Sequence, residues 1–184
     1  MCELDNKINT TLKLIKMKKG IILLMWFITF HQVHATIITV DNNFPSIGDF
    51  TTLQAAHDAA VDNDTLLLFP SLVSYQAITI SKPISIIGNG YYYPFEAQIQ
   101  WTKINGAITI LSDANGTSIQ CLEIIGSLDI YASNVIINRN KVEKIRISSG
   151  NNILILNNYI TGGNFNSVEF NNTSLNFKQQ FYRN

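Results

Sequence analysis

Charge is scarce in this chain, and so are cysteine, histidine and proline. Of its 184 residues only 14% are charged, with 13 basic side chains balanced by 13 acidic ones. That balance offers no basic surface to a polyanion, so nucleic acid is excluded as a partner. There are two cysteines, Cys2 and Cys121. Cys2 lies in a segment expected to be removed, which leaves Cys121 alone and rules out a disulfide framework. A lone cysteine in an apolar strand reads as a small core residue. No apolar run is long enough to span a bilayer comfortably; the longest, Gly20–Phe30, falls short without its flanks. With four prolines against ten glycines and abundant Asn, the composition suits many short strands joined by tight corners. Hydrophobic residues make up 46% of the chain, enough for a core and against general disorder.

The first 35 residues differ from the rest. Met17-Lys18-Lys19 precedes the apolar stretch Gly20–Phe30, and His31–Ala35 ends in Val33-x-Ala35. A basic start, an apolar middle and a small-residue end make a secretory signal peptide over 17–35, with cleavage after Ala35 and no stable membrane span in the mature chain. Residues 1–16 fit no part of that plan and read as a mis-called leader. Residues 36–184 are the folded domain, with a net charge of −3. Two of the three histidines, His31 and His34, leave with the peptide.

The mature chain opens with a strand over Thr36–Val40 and turn residues over Asp41–Asp49. A short amphipathic helix follows over about 52–61, with apolar residues at Phe50, Leu53, Ala56 and Ala60. Thr51 and Gln54 have the spacing of a capping box. Asp62-Asn63-Asp64 ends the helix, and Leu66–Phe69 is a buried strand. His57 has no second histidine or cysteine at metal-ligand spacing and is expected on the solvent face of the helix.

From Ala77 onward the sequence repeats. The units Ala107–Ile110, Ser127–Ile130, Lys144–Ile147 and Ser167–Phe170 start 20, 17 and 23 residues apart. A second series, Ser118–Leu122, Asn134–Asn138, Asn152–Leu156 and Ser174–Lys178, is interleaved with it. Two series sharing one period predict a β-solenoid. Stacking the coils places Ile108, Leu128, Ile145 and Val168 in one inward row. Ile110, Ile130, Ile147 and Phe170 form the next. In the other series Ile119, Val135, Ile153 and Leu175 align, as do Cys121, Ile137, Ile155 and Phe177. Asn140, Asn158 and Gln180 meet at a corner, where stacked amides bond along the axis. Thr109, Asp129, Arg146 and Glu169 form an outward row with Asp129 beside Arg146.

The helix FTTLQAAHDAA, the turn and strand DNDTLLLFP, and the coil Tyr75–Gly90, with its I-x-I strand, Lys82-Pro83 corner and I-I-G-x-G close, carry a resemblance. From Phe50 to the end the chain resembles the right-handed parallel β-helix proteins of the pectin lyase-like superfamily. The fold this implies is all-β, a right-handed parallel β-helix with a short N-terminal capping α-helix. About five coils are present, fewer than the family's usual number, so a truncated chain or fragment is expected. Asn63 stands where the family has Gly.

Function is less legible than fold. The resemblance is shared by enzymes and non-enzymes; the expected function is a secreted or cell-surface, bacterial binding or scaffold module that is non-catalytic as it stands, with carbohydrate as its ligand. The alternative is a fragment of a polysaccharide lyase or glycoside hydrolase acting on acidic polysaccharide. Family lyases hold Ca²⁺ between clustered carboxylates, and family hydrolases use close acid pairs. Here no two carboxylates share an outward column on adjacent coils, so no catalytic or metal residue is assigned. No cofactor is expected, Ca²⁺ entering only with the lyase alternative. The candidate ligand residues are the aromatic run Tyr91, Tyr92, Tyr93 with Trp101, and the pair Asp129 and Arg146. The plainer alternatives are structural: a corner loop packing its rings onto the flank, and a solvated ion pair. The expected partner is a polysaccharide or cell-envelope component.

Overall fold

The computed structural model describes Lys13 and residues 34–90, 101–162, 168–170 and 177–180. Residues 35–184 form one compact unit and residues 1–34 another. The expected leader and signal peptide therefore lie outside the described residues, apart from Lys13, His34 and Ala35, and so do Tyr91, Tyr92 and Tyr93. Among the described residues no helix is long and apolar enough to cross a membrane.

The elements of the larger unit follow in chain order. Strand β1 is Ile37–Val40, helix α1 is Leu53–Ala59, β2 is Thr65–Leu68, β3 is Tyr75–Ile80 and β4 is Ser85–Ile87. Then come β5 Lys103–Ile110, β6 Ser118–Gln120, β7 Glu123–Ile130, β8 Ile136–Asn138, β9 Lys141–Ile147, β10 Ile153–Leu156, β11 Tyr159–Ile160, β12 Val168–Phe170 and β13 Phe177–Gln180. They build two sheets. One has seven strands in the order β1-β2-β4-β6-β8-β10-β13; the other has six, β11-β9-β7-β5-β3 with β12 also on β9. Neighbours within each sheet run parallel. From β2 to β10 the chain alternates between the sheets.

The register stacks Ile and Leu side chains in columns. Ile78, Ile108, Leu128 and Ile145 face one another across four strands, as do Ile80, Ile110, Ile130 and Ile147. In the other sheet Leu66, Ile86, Ile119, Ile137 and Ile155 align. All of these are 0–3% exposed. β-branched side chains suit this packing, because their stiff χ1 loses little on being fixed in a pleated layer. Each contributes about 1.5–3 kcal/mol of gross burial energy, most of it offset by chain entropy.

The structure corrects the expected fold class. The described residues form a compact two-sheet parallel β-fold with one short internal helix, not a right-handed β-helix coiled on three faces and closed by an N-terminal helix. Two observations decide this. The corners after β5, β7 and β9 are turns without a strand, so each period lays one strand in each of two sheets. The helix does not begin the fold either, because β1 precedes it and continues the seven-stranded sheet by pairing with β2.

Smaller corrections follow from corner geometry. Cys121 leaves the strand with φ 59° at a corner and is half-buried, so it is not a core residue. The second series consequently shifts by two residues at both of its ends. Ile119 pairs with Ile137, and Phe177 with Ile153. The helix starts at Leu53, with Thr52 rather than Thr51 as its N-cap; the Thr52 hydroxyl accepts from the Ala55 amide at 3.3 Å. Leu67, within the strand expected to be buried, is exposed.

Candidate functional site

The outward face of the six-stranded sheet holds the expected Asp129–Arg146 pair, and there the two side chains are joined side-on. Arg146 Nε lies 2.5 Å from Asp129 Oδ1, and Nη2 donates to Oδ2 at 2.7 Å. Nη2 also donates to Ser127 Oγ at 2.9 Å, and that hydroxyl donates to Asp129 at 3.1 Å. The hydrogen bond it donates to Asp129 holds the guanidinium pKa above its ordinary value, against partial burial. Register supplies this geometry: Asp129 and Arg146 are direct partners on β7 and β9, and Glu169 is the next position on β12. Lys144 pairs with Glu169.

A second row escaped the reading of the sequence. Lys103, Glu123 and Lys141 are register partners on β5, β7 and β9. Glu123 takes Lys141 at 2.7 Å and Lys103 at 3.5 Å. Its signal was present, because Lys103 precedes Glu123 by the same interval that separates Ile104 from Ile124. The column was missed because the four-residue units beginning at Ala107, Ser127 and Lys144 leave out Lys103, Glu123 and Lys141. Surface pairs of this kind, here partly covered, each contribute about 0–1 kcal/mol. Their polar atoms are spent on one another, so the ladder laces neighbouring strands together.

Two further polar clusters are structural. Asn140, fully buried, accepts from Leu122 N at 3.0 Å and donates to Ile119 O at 2.9 Å. One corner on, Asn158 repeats the pattern, accepting from Asn140 N at 2.8 Å and donating to Ile137 O at 2.7 Å. The expected amide corner is therefore present at both positions; the side chain of Gln180 lies outside the described residues. His57 is 3% exposed, which corrects its expected place on the solvent face. Its Nε2 accepts the Ser81 amide at 3.2 Å, and Nδ1 lies 3.1 Å from Asp58 Oδ1. With Nε2 engaged by a backbone donor, the ring ties α1 to the end of β3. The interaction with His57, followed by that with Gln54, holds the Asp58 carboxyl below its usual range. Among the described residues no three His, Cys, Asp or Glu gather around a common metal position.

The remaining feature is apolar. The turn after β1 is organised by Asp41, which is 3% exposed and accepts from Asn43 N at 2.9 Å, Asn43 Nδ2 at 2.6 Å and Ile47 N at 3.0 Å. The hydrogen bond from the Ile47 amide is the largest influence holding this carboxyl below its usual range; burial opposes it. The same turn is tied to the loop after β2, since Asn43 Nδ2 donates to Pro70 O at 3.0 Å and Asn42 Nδ2 to Val73 O at 2.8 Å. From these joined loops Phe44 is exposed at 101%, Ile47 at 76%, Leu72 at 75% and Val73 at 63%. Trp101 forms an antiparallel bridge with Ser71 beside them and is half-buried. Of the expected ligand residues, then, Trp101 is placed at this apolar rim, and Asp129 and Arg146 lie together on the face of the six-stranded sheet. The rim was readable as Phe44, Ile47, Leu72 and Val73 interrupting otherwise polar turns, a signal passed over in favour of the repeats.

No family model, curated protein or solved structure matches this chain. Membership of the pectin lyase-like superfamily, and with it the carbohydrate groove or lyase and hydrolase chemistry expected from that resemblance, is therefore corrected to a two-sheet parallel fold without a matched family.

Proposed function

We propose that the chain is exported and works by docking a protein component of the cell envelope through the apolar rim of Phe44, Ile47, Leu72 and Val73, with Trp101 alongside. The observation that carries this is the joining of two loops whose backbones are fixed by Asp41, Asn42 and Asn43 while four apolar side chains stay in water. Grouped exposed apolar residues mark interaction sites, whereas single ones need no explanation. Fixing the loops beforehand lowers the entropy lost on binding. Export rests on the basic, apolar and small-residue order of 17–35, with cleavage after Ala35 leaving Trp101 as the mature chain's one tryptophan. The ligand role expected of Asp129 and Arg146 is a secondary contact in this reading, since any ligand there competes with their mutual pairing.

The test is co-sedimentation of the purified mature chain with isolated envelopes, untreated or protease-treated. Binding should disappear after protease treatment and fall at least tenfold in F44S/L72S, with the Trp101 emission shifting only on productive binding. The reading fails if F44S/L72S binds as wild type, or if glycosidase rather than protease removes binding.

A further inference from the structure

The corner between β5 and β6 reads Asp113-Ala114-Asn115-Gly116-Thr117. In an exported chain, Asn-x-Thr is the triplet on which an oligosaccharide is transferred to the asparagine nitrogen. Asp113, two residues before the acceptor, adds a carboxylate that a basic peptide groove can pair with. Asp113, Asn115 and Gly116 are exposed, whereas Ala114 and Thr117 are buried. A Cβ at Gly116 would meet nothing within 4 Å, so the corner opens to solvent. Asn115 Oδ1 accepts from Ser133 N at 2.7 Å. That donor fixes which end of the amide faces the protein, and Nδ2 makes no bond among the described residues. One coil on, Ser133 Oγ accepts from Asn151 N at 3.0 Å, filling the same role with a hydroxyl alone. The nitrogen of Asn115 is therefore surplus to the corner. Asn63-Asp64-Thr65 also has the triplet on an exposed turn, but Val61 stands where the corner has Asp113. Glu169–Thr173 has the full five-residue pattern, and its acceptor Asn171 lies outside the described residues.

We propose that Asn115 is an N-glycosylation site, modified during export by an envelope transferase that uses a lipid-pyrophosphate-linked oligosaccharide. The bond from Asn115 Nδ2 to the anomeric carbon of the sugar forms as the bond from that carbon to the pyrophosphate breaks. The lipid pyrophosphate leaves with the electron pair, and one amide proton passes to a base of the transferase. The fold sets the order of events. Thr117 is fully buried and its hydroxyl donates to Ala114 O at 2.8 Å, which withdraws it from a transferase once the corner has closed. Transfer therefore precedes closure, on the chain as it emerges from translocation. The closed corner then accepts the product without change: Asn115 stays in solvent, and its Oδ1 keeps the Ser133 amide after Nδ2 is substituted. The sugar is a covalent product, not a ligand held in a groove. The site rests on the export read from residues 17–35 and is independent of the apolar rim.

The experiment is peptide mapping by mass spectrometry of the full chain isolated from the envelope of its own cells, with N-terminal sequencing of the same sample. The chain should begin at Thr36, and the peptide holding Asn115 should carry a sugar adduct. The adduct should be lost in N115D and T117V and kept in T117S, which retains the hydroxyl. Occupancy should fall about tenfold in D113N, which removes one charge-assisted contact to the transferase. N115D keeps an oxygen for the Ser133 amide, so a wild-type melting midpoint shows that its lost adduct is not misfolding. A chain deleted of residues 17–35 should carry no sugar. A chain that begins at Thr36 with Asn115 bare overturns this proposal alone, and one that keeps residues 17–35 overturns export with it. An adduct that persists in N115D lies on another residue and overturns the assignment.

Discussion

Tyr75 holds the ends of β1 and β2 together. It is 2% exposed, and its hydroxyl lies 2.9 Å from the carbonyls of both Val40 and Phe69. Burial, with the charge of Asp41 adding to it, raises its pKa from 10.0 to about 12, against backbone hydrogen bonds that lower it. The folded form thus favours the neutral phenol. That contribution is fully present below the unfolded value near 10 and is lost as pH rises toward 12. Wild type should lose about 2–3 kcal/mol between these limits through this group alone. Y75F should cost about 1 kcal/mol at neutral pH and remove that part of the alkaline decline. Urea midpoints at pH 9 and pH 11 for both proteins check this, and equal alkaline losses would refute the assignment.

At the scale of elements, the corners decide how the strands align. The inward rows of the six-stranded sheet could be read from sequence, because I-x-I units recur and burial enforces period two. The seven-stranded sheet was misread by two residues because its intervals are set by left-handed residues at the bends. Asn134, Arg139, Asn152 and Asn157 all have φ between 53° and 57°, and a side chain's identity does not announce when a strand ends that way. Gly150 marks another limit: a Cβ there would lie 2.0 Å from Ala132 O, an approach between corners invisible in one dimension. The amide corner was legible, and it supports a graded prediction. N140A leaves the Leu122 amide and the Ile119 carbonyl without their partner in a fully buried setting and should cost about 3 kcal/mol. The more accessible N158A should cost less. Thermal melts of both variants test the order, and an equal or reversed order would argue against the buried network.

Across the whole molecule, stacked parallel strands create an edge that needs closing, and the N-terminal one is closed by carboxylates. Beyond β1, Asp49 takes Thr39 N at 2.8 Å, and Phe50 bridges to Val40 in parallel. Where the chain enters, Asp64 accepts from Thr36 N at 2.7 Å, Thr36 Oγ1 at 2.9 Å and Val61 N at 2.8 Å. Burial alone would raise the Asp64 pKa, but these donors and Lys82 outweigh it, and its pKa falls below 3.8. A depressed carboxyl contributes stability above its unfolded value, and that stability is lost as pH falls through the folded one. Acid should therefore release β1 before it disturbs the Ile columns, which carry no titrating group. D64N retains an acceptor but turns an amide toward donors, and should cost about 2–3 kcal/mol at pH 7. The difference from wild type should shrink below pH 3.8, because wild type then loses the same charge. Denaturation curves at both pH values, with amide exchange of β1 as the local readout, test this. A D64N deficit unchanged in acid would place the stabilisation elsewhere than in the ionised carboxylate.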